Sequence, residues 1–119
     1  MPSILVVDDD DSVQTILKRI LEEEGHVVRF ASNGKEALRS YQKQVPDLIM
    51  TDLVMPEKEG LETIMELRRK MQSKVKIIAM SGDANFLVPA RMLGADAVMV
   101  KPFQVDDILE IVRTVLEAI

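Results

Sequence analysis

Short apolar runs punctuate the chain at ILVV (4–7), LIMT (48–51), IIAM (77–80) and AVMV (97–100), and each gives way at once to polar residues. Runs of this length, bounded by turn formers, read as buried strands. Between them the period changes. Val13, Ile16, Leu17, Ile20 and Leu21 follow the i, i+3, i+4, i+7, i+8 spacing of one helical stripe, and Gly25 stands where a helix C-terminus places it. Residues 26–30 read as a further strand. Asn33, with Glu36 three residues on, forms a capping-box variant opening a second helix that runs to about Gln44. Pro46 ends that helix, and residues 47–52 form the third strand, leading into a loop over 56–60. A helix over about 60–71 turns Leu61, Ile64, Met65 and Met71 inward, and 75–80 is the fourth strand. Pro89 removes an amide donor and biases Val88 away from helical geometry, so the regular part of the fourth helix is expected to begin only near Pro89; Gly94 closes it. The strand at 97–100 is followed by a last helix with Val105, Ile108, Leu109, Val112, Val115, Leu116 and Ile119 on its inner face. Ile111 falls off that stripe, where partial burial is expected and an exposed contact position is the alternative.

Strands alternating with helices predict an α/β fold: a single (βα)5 doubly wound domain over residues 1–119, with a five-stranded parallel sheet covered by helices on both faces. In such sheets ligands bind beyond the carboxyl ends of the strands, where the strand order reverses. With the order 2-1-3-4-5 that point lies between strands 1 and 3, the two that lead into Asp8-Asp9 and Asp52.

Length and composition narrow the choices. The 119 residues fit one core, and no apolar run approaches the roughly 20 residues of a membrane-spanning helix. The start Met1-Pro2-Ser3 leads straight into a strand pattern without a secretion signal, which makes the cytoplasm the expected location. Cysteine is absent, removing disulfides, thiolate ligands and thiol nucleophiles. The net charge is −5 and the only dense basic group is Arg68-Arg69-Lys70 at a predicted helix end, so direct nucleic-acid binding is not expected. The eight methionines read mostly as core filler, with Met55 bordering the candidate site, and His26 as a surface or strand-edge residue.

The chemistry lies at the strand ends. Asp8, Asp9 and Asp52 would meet there with Ser81 and Lys101. Carboxylates about 4 Å apart repel by roughly 4 kcal/mol at an effective dielectric near 20, so the cluster implies a cation or a proton. Mg²⁺ suits oxygen-only ligands and keeps waters beside phosphate oxygens, with Mn²⁺ as the alternative. Zinc is disfavoured, because no cysteine is present and His26 is remote in the pattern. A carboxylate is also a nucleophile toward phosphorus, and Asp52, closing a central strand before a Pro-containing loop, is the best placed. Lys101 can then neutralise one phosphoryl oxygen and Ser81 donate to another.

Four blocks in order, ILVVDDD (4–10), DLVMP (52–56) with Gly60 beyond, AMSGD (79–83) and GADAVMVKPF (94–103), resemble the receiver domain of two-component response regulators over essentially the whole chain. The resemblance implies a phosphorylation-activated switch and no turnover enzyme on external substrates. Asp52 would accept a phosphoryl group from a sensor histidine kinase or a histidine phosphotransfer domain. It further implies that Asp9 and Asp52 bind Mg²⁺ with the backbone carbonyl of Val54, that Asp8 contacts the ion mainly through water, that Ser81 and Lys101 recognise the phosphoryl group, and that the Lys101-Pro102 bond is cis. The output would be a downstream protein or a fused output domain.

Two positions depart from that pattern. Receivers usually carry Tyr or Phe three residues before the lysine, where this chain has Val98, so the relay must run through the Ser81 loop, helix 4 or the backbone. The segment 81–94 also looks about two residues short. Val54 is apolar where many receivers are polar, which predicts slow self-dephosphorylation. Asp11 or Ser12 is the expected cap of the first helix. Three other readings compete: a haloacid-dehalogenase-type phosphatase using Asp8 and Asp10, a non-phosphorylated receiver-like binding module, and a flavodoxin-like FMN binder. The first lacks a cap domain, the second would have lost acids or lysine, and the third lacks a phosphate loop after strand 1.

Overall fold

The computed structural model describes residues 2–53 and 60–118. The chain forms β1 (Ser3–Val7), α1 (Asp11–Glu23), β2 (Val27–Ala31), α2 (Gly34–Lys43), β3 (Leu48–Asp52), α3 (Gly60–Met65) continued by a π-helical turn (Glu66–Lys70), β4 (Lys76–Ser81), a 3₁₀ turn (Ala84–Phe86), α4 (Leu87–Leu93), β5 (Ala97–Val100) and α5 (Val105–Glu117). All strand pairs are parallel, in the order β2-β1-β3-β4-β5. Successive strand residues point to opposite faces, so the apolar runs divide into two cores. Leu5, Val7, Ile49, Ile77 and Ala79 pack under Ile64, Leu67, Leu87 and Ala90 on one face. Ile4, Val6, Leu48, Met50, Ile78 and Met80 meet Leu17, Leu21, Ile108, Val112 and Val115 on the other. Both faces are covered, which is why these strands are runs and not alternations.

Several local expectations are corrected. Asp10, not Asp11 or Ser12, caps α1: its extended backbone lets its carboxylate accept from the amides of Ser12 (2.8 Å) and Val13 (3.4 Å). Leu17 and Leu21 of α1 are buried against the sheet with Val13 and Ile20 half-buried beside them, whereas Ile16 is 54% exposed. α4 begins at Leu87, two residues before Pro89. Pro89 therefore sits in the first turn, where a missing amide loses no intrahelical bond. Gly94 closes α4 in the left-handed region at φ 117°. Met65 is exposed and Leu67 is buried in its place, because the wider π turn shifts the inward face. Val105 is exposed at the start of α5, whereas Ile111 is half-buried against the core. Ile119 lies outside the described residues. The Asn33–Glu36 box forms: the Glu36 amide donates to Asn33 Oδ1 at 2.9 Å, and Glu36 accepts from Ser32, one residue before the cap.

The same π turn carries Arg68 inward, out of what reads in sequence as a basic cluster. Its guanidinium donates to the carbonyls of Gly94 (3.0 Å), Ser73 (2.9 Å) and Val75 (2.7 Å), and to Asp96 Oδ2 (3.1 Å), which also accepts from the Ile77 amide (2.8 Å). Tyr41 on α2 joins through its hydroxyl, which donates to Ser73 Oγ at 2.6 Å. One planar cation thus ties α3, the approach to β4 and the α4–β5 turn together at the amino edge of the sheet. Charge-assisted bonds are worth about 1.5–3 kcal/mol each and do not add fully. Arg68→Ala is expected to lower stability by about 2–4 kcal/mol, read as a lower urea midpoint at unchanged slope. Arg68→Lys should recover only part, because one ammonium cannot span four acceptors.

Candidate functional site

At the opposite, carboxyl edge, parallel register sets the chemistry side by side. Val7 pairs with Thr51, Asp52 with Met80, and Ser81 with Val100, so Asp8, Asp52, Ser81 and Lys101 lie at or one residue beyond adjacent strand ends. Asp8 is fully buried, Asp52 and Ser81 are buried, and Asp9 is exposed. One carboxylate oxygen from each of Asp8, Asp9 and Asp52 lies within 4.8 Å of the others. The Lys101 ammonium reaches both buried acids, at 2.7 Å from Asp8 Oδ2 and 3.5 Å from Asp52 Oδ1. Amides complete the carboxylate shells: Asp10 donates to Asp8 Oδ1 at 2.9 Å and Leu53 to Asp52 Oδ1 at 2.9 Å. Ser81 is held twice, its Oγ accepting from the Asp83 amide (3.0 Å) and its carbonyl from the Lys101 amide (2.9 Å). The Lys101-Pro102 bond is cis.

Three carboxylates against one ammonium leave a formal surplus of two negative charges. Burial, and then the neighbouring Asp8 charge, raise the Asp52 pKa above its ordinary 3.8, against the opposing pull of Lys101 and the Leu53 amide. Burial pulls Lys101 down, but its hydrogen bond to Asp8 and the Asp52 charge outweigh that, and its pKa rises above 10.5. The lysine therefore stays charged at neutral pH. Oxygen-only donors with surplus negative charge fit a hard divalent cation such as Mg²⁺. His26 stands just before β2, at the far edge of the sheet, and takes no part.

The site therefore brings together Asp8, Asp9, Asp52 and Lys101, with Ser81 at the neighbouring strand end. Val54 and Met55 lie outside the described residues. One role was not read from the sequence: a side-chain carbon on Gly60 would clash with the Asp52 carbonyl and lie 2.8 Å from Leu53 Cα. The Gly60 amide instead donates to the Leu53 carbonyl at 3.2 Å, so the chain returns flush against the end of β3. A glycine opening a helix eight residues after an acid is the available signal.

The response regulator receiver domain family matches residues 4–113. The chain belongs to this family. It is 35% identical to the chemotaxis protein CheY of Halobacterium salinarum, over 97% of each chain. It is 36% identical to the transcriptional regulatory protein AfsQ1 of Streptomyces coelicolor, over 87% of this chain and 46% of that protein. The response regulator TrrA of Thermotoga maritima, solved in complex with Mg(2+)-BeF, superposes with a TM-score of 0.88 at 35% identity, covering 97% of this chain and 99% of that one. Receivers are phosphorylation-activated switches of two-component systems, not turnover enzymes, and they bind Mg²⁺ at an acidic pocket. No described helix of this receiver is long and apolar enough to cross a membrane.

The raised Asp52 pKa has a sign that can be measured. A carboxyl whose folded pKa lies above its unfolded value contributes stability below pH 3.8, and loses it as pH rises through the folded value. Ionised Asp52 is thus a liability at neutral pH without a cation. Asp52→Asn should melt higher than the parent at pH 7 in chelator, by about 3–6 °C for each kcal/mol of relieved repulsion. The gap should narrow on acidification, and an equal or lower melting temperature at pH 7 would contradict the assignment.

Proposed function

We propose that this receiver is switched by transfer of a phosphoryl group to Asp52 from a phosphohistidine of a sensor histidine kinase or phosphotransfer protein. An Asp52 carboxylate oxygen attacks phosphorus, the P–N bond breaks, the imidazole leaves with its electron pair, and an acyl phosphate remains. The observation that carries this reading is the Lys101 ammonium bridging Asp8 and Asp52 at the carboxyl edge, beside the three-carboxylate cluster. Asp9 and Asp52 with the Val54 carbonyl, and Asp8 mainly through water, would hold Mg²⁺, which would supply neutralising charge for the phosphoryl oxygens; the Thermotoga complex with Mg(2+)-BeF supports such a pairing. Lys101 already faces Asp52 and needs little movement to pair with a phosphoryl oxygen. Ser81 Oγ accepts from Asp83, which leaves its own O–H free to donate.

The phosphatase rival loses its acid. Asp10 is engaged as the α1 cap, and Asp8 is paired with Lys101. The partners we infer are the phosphodonor kinase or phosphotransfer domain and either a separate target or a fused output domain; no direct nucleic-acid contact is part of the reading. With Val98 half-buried beneath α4, the signal leaves through Ser81 and the following turn. Val54 offers an attacking water no polar group, so the acyl phosphate is long-lived.

Incubation with acetyl phosphate and Mg²⁺, followed by intact mass, should add one phosphoryl group to the parent and none to Asp52→Ala. Addition to both, or to neither, would refute the assignment. Val54→Asn should lose the group faster than the parent. Beryllofluoride should shift amide resonances across residues 81–100; unchanged resonances there would sink the proposed output route.

A further inference from the structure

Asp8 and Asp52 are each fixed by side-chain partners, but Asp9 is not. It is exposed, and among the described residues its carboxylate makes no hydrogen bond or ion pair, although it completes the three-acid cluster. Its placement therefore depends on the main chain at residues 8–10. The Asp8 amide donates to the Ala31 carbonyl at 3.0 Å, continuing the β1–β2 ladder, and the Asp10 amide donates to Asp8 Oδ1. Neither bond holds the carbonyl of the Asp8–Asp9 peptide. Gln14 does so: its Nε2 donates to the Asp8 carbonyl at 2.6 Å. The acceptor is a carbonyl, so the amide orientation is unambiguous.

Gln14 is well suited to the task. It stands in the first turn of α1, and its own amide donates to the Asp10 carbonyl at 3.1 Å. That turn is in turn capped by the Asp10 carboxylate. The side chain thus reaches back from a rigid support over the turn that displays Asp9. A peptide is planar, so fixing its carbonyl also fixes the direction in which Asp9 leaves it.

We propose that Gln14 is a positioning residue for the divalent cation, holding the Asp8–Asp9 peptide so that Asp9 is presented to Asp8 and Asp52. This rests on the Mg²⁺ reading above and adds to it a residue that touches neither the ion nor the phosphoryl group. Groups that orient metal ligands typically change affinity by about 10–100-fold when removed. Gln14→Met keeps the length of the side chain and deletes the donor. Thr15→Val is the control: it removes the Thr15 Oγ1 bond to the Asp11 carbonyl (2.9 Å) in the same turn without touching Asp8.

Mg²⁺ titrated calorimetrically into the three proteins, each first checked by urea unfolding in chelator, tests the inference. The expected result is binding by the parent and Thr15→Val with similar Kd, and a Kd at least about 10-fold weaker for Gln14→Met. Parent-like affinity in Gln14→Met would overturn the inference and leave the Mg²⁺ reading standing. Equal weakening in both variants would overturn it by showing a general loosening of α1. An unfolded Gln14→Met protein would do so too, by making the amide a requirement of the fold. Absence of Mg²⁺ binding by the parent would remove the reading itself.

Discussion

Two buried carboxylates stand together at the end of a covered sheet, and the Lys101 ammonium is what makes that tolerable. At 2.7 Å from Asp8 and 3.5 Å from Asp52 it is the charge common to both. Without it, carboxylates about 4 Å apart would repel by roughly 4 kcal/mol at an effective dielectric near 20, a large part of a small domain's net stability. The compensation is incomplete. Asp52 retains a raised pKa, and the third acid, Asp9, adds its charge outside the pair. The residual excess of negative charge on oxygen-only donors is what suits the site to a hard cation, and it exists because the fold holds the three acids together.

That holding comes from the two edges of one sheet. At the amino edge Arg68 fixes α3, the approach to β4 and the α4–β5 turn through main-chain carbonyls, far from the chemistry. At the carboxyl edge Gly60 lets the chain return against β3 with no side chain intervening. Between them every residue of β3 is buried, so the strand that ends in Asp52 has little freedom to shift. A stiff support of this kind turns a small change at the site into a change in loops, not in the sheet.

The parts legible in the sequence were those that depend on periodicity and on strand ends. ILVV, LIMT, IIAM and AVMV could be read as strands because both faces of the sheet are covered, and the residues after them marked the site because parallel register carries strand ends to one edge. What was not legible depends on which way a single side chain turns. Asp10, Asp11 and Ser12 are all competent caps, and only the backbone at Asp10 decides among them. Pro89 reads as a breaker until its position in the first turn of α4 is known. Arg68 looks like surface charge because its acceptors include Gly94 and Asp96, more than twenty residues away, and a π turn has no pattern that announces it. Gln14 was missed for the same reason: its acceptor is a main-chain carbonyl, which carries no residue identity.

The valine at position 98 acquires its meaning from these constraints. Val98 packs half-buried against the core beneath α4 and pairs with Ala79, and a valine has no aromatic ring to rotate. Ser81, one strand over, is joined on two sides: through its carbonyl to the Lys101 amide and through its hydroxyl oxygen to Asp83, the cap of the 3₁₀ turn before α4. The Ser81 hydroxyl is thereby linked through Asp83 to the amino end of α4. The carboxyl end of that helix is held at Gly94 by Arg68. One end of α4 is thus tied to the site and the other to the base of the sheet, while its outer residues Val88 and Met92 stand 66% and 81% exposed between the two ties.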